Sequence, residues 1–116
     1  MHVVDGVLRR TPNAPSAAYE AYVRGVLATE AKPPRNAEAQ IYFQRAVALD
    51  PDEALLWTAL AEVSFAIGDE LVGEEALRRA LALDPTHAGA RALRSREEMD
   101  ATAAAGRDGL TSDARP

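Results

Sequence analysis

Ala39-Gln-Ile-Tyr-Phe-Gln-Arg-Ala-Val-Ala-Leu-Asp-Pro51 and Gly73-Glu-Glu-Ala-Leu-Arg-Arg-Ala-Leu-Ala-Leu-Asp-Pro85 are two copies of one segment, and their closing prolines stand 34 residues apart. Self-similarity at a period of this length marks a stacked array of helical hairpins. Each copy is rich in Ala and Leu, both strong helix formers, and each closes on a residue that cannot continue a helix.

The prolines set the register. Pro15-Ser16, Pro51-Asp52 and Pro85-Thr86 form a series, each followed two residues later by Ala18, Ala54 or Ala88. Ser, Asp and Thr accept hydrogen bonds from the first turn of a helix, so each pair is expected to end one helix and cap the next. The first interval is 36 residues, and Lys32-Pro33-Pro34-Arg35-Asn36 absorbs the excess, with Asn36 as the cap of the following helix. Five helices are predicted, at about 16–31, 36–49, 52–67, 70–83 and 86–103. Repeats at about 16–51 and 52–85 and a capping helix at about 86–103 thus make a helical domain over 15–104.

Trp57, Leu60, Ala61, Ser64 and Ile67 give the third helix a buried stripe with one polar exception. Gly68-Asp69 stops that helix and caps the fourth. Gly73, Leu77 and Ala80 face it, with Gly73 allowing close approach, and Ala39, Phe43 and Ala46 take the same places in the second helix. Outside the array, residues 1–14 carry Val3, Val4, Val7 and Leu8 before the breakers Thr11-Pro12-Asn13-Ala14-Pro15, so at most one short element is expected there. Residues 105–116 are small and polar and read as a disordered tail.

Composition narrows function. Aromatic residues make up 5% of a chain that is 47% hydrophobic, so the core is built from Ala, Leu and Val. The absence of cysteine excludes disulfides and thiolate chemistry and fits a reducing, cytoplasmic setting. The formal charge of -5 argues against nucleic acid, and no apolar run is long enough for membrane insertion. Catalytic and metal constellations are thin: His2 and His87 have no second ligand at metal spacing, and Glu74-Glu75 and Glu97-Glu98 diverge around a helix. No cofactor is expected, and no enzyme activity.

Trp57, Leu60, Gly68, Leu77, Ala80 and Pro85, together with the two Ala-Leu-Asp-Pro endings, resemble the tetratricopeptide repeat. The resemblance covers about residues 16–103 and is better in the second repeat. Ser64 stands where that family often has tyrosine, Arg24 where an apolar residue is usual, and Arg91 where a third repeat would place its tryptophan. Ala18-Tyr-Glu-Ala-Tyr-Val-Arg-Gly25 resembles the openings of bacterial members.

The family implies an all-α, right-handed array of antiparallel hairpins, an α-solenoid, that binds a protein partner on a concave face lined by the first helix of each hairpin. Carried over position by position, that face comprises Tyr19, Tyr22, Val26 and Thr29, then Leu55, Thr58, Glu62 and Phe65, then Ala92, Arg96 and Met99. The plainer alternative is that Tyr22, Val26 and Phe65 only pack on neighbouring helices. The Lys and Asn set with which one subset of the family grips chaperone tails is missing, since Tyr22 and Val26 stand in its place. Arrays of this kind usually need about three repeats. With two and a cap, the chain is expected either to be an adaptor for a peptide or helix, or to self-assemble as a homo-oligomer. In the second case the N-terminal segment or another subunit would fill the groove.

Overall fold

The structure, a computed structural model, describes the backbone of residues 4–114 and the side chains of residues 16–103. The described residues form five helices and no strand: α1 (Val4–Thr29), α2 (Asn36–Leu49), α3 (Ala54–Ala66), α4 (Glu70–Leu83) and α5 (Ala88–Ala114). α1 packs extensively on α2, and α3 on α4, across short connections, so the chain folds as two hairpins. α2 joins the hairpins by packing on α3, and α5 lies against both α3 and α4. No described helix is long and apolar enough to cross a membrane.

The predicted core is largely present. Ala39, Phe43 and Ala46 of α2 and Gly73, Leu77 and Ala80 of α4 are buried at equivalent places. In α3 the buried set is shifted. Leu56, Leu60, Ala61, Val63 and Ser64 are inside, whereas Ile67 follows the helix end and is exposed. The terminator of α3 matches expectation: Gly68 has φ 83°, and its N–H donates to the Phe65 carbonyl at 3.1 Å while that of Asp69 donates to the Ser64 carbonyl at 2.8 Å. Only glycine adopts this left-handed backbone without penalty. The Asp69 side chain then accepts from the Val72 N–H at 3.4 Å and caps α4.

Several helix boundaries differ from those predicted. Asp52 and Thr86 lie in turns, and α3 and α5 start two residues further on, at Ala54 and Ala88. The cause at the second turn is Asp84, whose carboxylate takes both the N–H and the hydroxyl of Thr86, at 3.1 and 2.9 Å. Asn36 is the first residue of α2 rather than its cap, a position held by Arg35 without a side-chain bond. The longest corrections are terminal: α1 begins at Val4, not at 16, and α5 continues to Ala114, not to 103. Pro12 and Pro15 therefore stand inside a helix. A proline φ is itself helical, but a proline inside a helix removes one backbone donor and crowds the carbonyl four residues earlier, so these positions are costly ones. Residues 1–3 and 115–116, assigned above to the N-terminal segment and the tail, lie outside the described residues.

Two large-to-small contacts hold the hairpins together. In the first, a side chain at Gly25 of α1 would collide with the ring of Phe43 on α2. In the second the ring sits on the first helix: a Cβ at Gly73 of α4 would come within 2.8 Å of Phe65 on α3. The glycine thus makes room for an aromatic ring, where close backbone approach was expected. Ser64, the polar exception in the α3 stripe, links the hairpins. It is fully buried, and Gln40 of α2 donates to its hydroxyl at 3.0 Å and to Asp69 at 3.0 Å.

Candidate functional site: a cleft between the first helices

A cleft of about 330 Å³ opens between α1 and α3. Tyr22, Val26 and Thr29 form one wall, Ala59, Glu62 and Ala66 the other, and Phe43 and Val63 lie at its base with Asn36 at one end. Tyr22 is held between two rings, 5.9 Å from Phe43 and 6.0 Å from Tyr19 by centroids, in tilted arrangements typical of aromatic pairs. Tyr19 is 62% exposed and carries this aromatic surface outward. The Thr29 hydroxyl is occupied, donating to the Val26 carbonyl at 2.7 Å, so the wall it contributes is mainly its methyl group.

Four of the residues assigned to the groove, Tyr22, Val26, Thr29 and Glu62, therefore meet at one site. Leu55 is exposed one turn before Ala59, on the α3 face that carries Glu62. Thr58 is not on that face. It is only 5% exposed, its hydroxyl donates to the Ala54 carbonyl at 2.9 Å, and its methyl lies beside Gly89 of α5. Phe65 is half-buried and committed to Gly73, as the plainer alternative had it. Ala92, Arg96 and Met99 are exposed on α5, Met99 at 70%.

Sequence reading missed Asn36, Phe43, Ala59, Val63 and Ala66 as lining residues. The spacing held no signal that separates them: Ala59 and Ala66, like Thr58 and Phe65, stand three or four residues from Glu62, and only the packing of α3 on α4 and α5 decides which pair lines the cleft.

Outside the cleft several charged side chains are paired locally. Glu75 receives Arg78 at 2.6 Å and Arg79 at 2.9 Å, and Arg79 also lies 5.2 Å from the ring centre of Trp57. The hydrogen bond from Arg79 holds the Glu75 carboxyl below the usual range. The Trp57 indole donates to the Pro51 carbonyl at 2.7 Å and pins the turn to α3. Arg94 grips Glu74 through both oxygens, at 3.1 and 3.3 Å, and joins α5 to α4. Burial, with Asp100 and then Glu70 and Glu74 nearby, raises the Glu97 carboxyl above its usual range. Among the described residues, no group of three His, Cys, Asp or Glu side chains converges to hold a metal ion.

No family model matches the chain, and comparison with curated proteins finds no matching relative. The class defined by the fold is thus the general one, a small all-helical protein of two hairpins and a terminal helix.

Proposed function

We propose that this chain is a non-enzymatic interaction module of the tetratricopeptide-repeat kind, which holds a segment of a protein partner in the cleft between α1 and α3. The observation that supports this most directly is the surface chemistry of the cleft. Its walls combine aromatic, aliphatic and methyl groups with one carboxylate, Glu62. Such a surface gives apolar contact for affinity and a polar group to fix register. A cytoplasmic setting, with no role for nucleic acid, accords with the missing cysteines and the acidic balance.

The test is capture of a partner from the source cell by the wild-type chain, by Y22A and by V26D, with helicity monitored for each. A partner that both folded variants fail to retain supports the reading. Equal retention by all three would place binding elsewhere. Self-assembly is favoured by a different observation, the exposure of residues 98–103 of α5, including Met99. Sedimentation across micromolar concentrations separates the two, since self-assembly requires a mass that rises with concentration and falls in M99D.

A further inference from the structure

Glu62 is the one carboxylate that lines the cleft. Like Glu30, Glu53 and Glu70, Glu62 is in no ion pair among the described residues, but unlike them it stands in the cleft wall, beside Ala59, Val63 and Ala66. Solvated as it is, an isolated carboxylate there costs nothing. Any segment that fills the cleft must strip water from it, and burying an unpaired charge is strongly unfavourable. The occupant must therefore supply a cation at that point.

The neighbouring helix extends the pattern. Glu62 lies 36 residues after Val26, and Arg96 lies 34 after Glu62, the same offsets that separate the three prolines. Consecutive first helices thus place an aliphatic, an acidic and a basic side chain at one register. A Cβ on Gly89 of α5 would lie 3.5 Å from Thr58 of α3, so this side of α5 adjoins α3. Arg96 is two turns on from Gly89, exposed, and in no ion pair among the described residues, with the carboxylate of Glu97 beside it in sequence.

We propose that the occupant is an extended partner segment with three features in order: an apolar side chain for the Tyr22–Val26 wall, a Lys or Arg for Glu62, and an Asp or Glu for Arg96. Packed helices lie about 8–10 Å apart and an extended chain advances about 3.3 Å per residue, so roughly three residues separate the basic and acidic positions. The inference rests on the proposed groove, and it adds the charge order of the partner.

The probe is a phage-displayed library of random peptides selected on the immobilised full-length chain, on E62K and on R96E, with Y22A as the control for the groove. Peptides from the wild type are expected to share a basic residue beside an apolar one and to lose about tenfold in affinity on E62K. Reversing that basic residue in the peptide is expected to restore binding to E62K, and selection on R96E to exchange the acidic position for a basic one. Peptides that depend on Tyr22 yet show no basic preference, or that bind E62K and the isosteric E62Q as tightly as wild type, would overturn the charge assignment and leave the groove standing. Peptides indifferent to Y22A, or a selection that yields none, would remove the groove reading and this inference with it.

Discussion

Gly25 and Gly73 each lie against a phenylalanine ring, and the two contacts have different freedom to adjust. Alanine in a helix is ordinarily favoured over glycine by about 1 kcal/mol. Overpacking a core costs about 1–3 kcal/mol and outweighs that gain where the ring cannot move. Phe43 is buried, so G25A is expected to destabilise the fold, whereas half-buried Phe65 can swing outward and G73A should cost less. Urea denaturation of both variants checks the order, and equal losses would show that the rings are equally free. At Glu97 the carboxyl is raised in the folded chain, so its contribution is fully present below the unfolded value and is lost as pH rises through the folded one. E97Q should therefore raise the melting temperature at neutral pH and leave it nearly unchanged in acid. Residue-scale legibility was uneven. Alternation of small and large side chains marked the hairpin core, but helix rotation was off by one residue at Thr58, because α3 is apolar on nearly every side and offers no polar face to orient it.

Between elements, the main polar tie is Gln40 of α2 reaching Ser64 and Asp69 across the hairpin junction. Removing one partner of such a bond commonly costs about 1–3 kcal/mol when the other stays buried. Q40A should therefore lower stability and increase amide exchange at the start of α4, where Asp69 supplies the cap. The tie was invisible in the sequence because its members lie 24 and 29 residues apart, and because Gln40, although inside the duplicated segment, is replaced by Glu74 in the second copy. The helix ends were partly legible: glycine at Gly68 demands a left-handed turn, which sequence alone reveals. Proline is less decisive, since it removes a donor yet has a helical φ, and α1 runs through two of them. Replacing Pro12 and Pro15 with alanine restores two donors and should increase helicity measured by circular dichroism. An unchanged signal would mean that the N-terminal stretch of α1 gains nothing from the added bonds.

At the scale of the molecule, α1 and α5 set the shape. The Cα radius of gyration is 18.4 Å and the extents are 81 × 33 × 19 Å. A compact domain of this length would have a radius of roughly 13 Å. Small-angle scattering of a dilute sample is expected to return the larger value, and truncating α5 after Ala103 should shorten the longest dimension. A radius close to that of a sphere would mean that the terminal helices fold back. The five-helix hairpin order was legible because the period and its prolines repeat. The length of α5 was not, because its C-terminal half is polar and lacks the apolar stripe by which a helix is found.

The Gln40 tie also decides whether the second hairpin is a portable building block. Glu74 occupies, one period later, the place of Gln40. A concatemer made by repeating residues 52–85 would bring that carboxylate toward the counterpart of Asp69 in each new copy, two anions where the natural junction has an amide and an acid. Here Glu74 is spared the encounter because Arg94 of α5 holds it. A lengthened protein of this design therefore requires E74Q in every unit but the last, which alone keeps its glutamate to receive the closing helix.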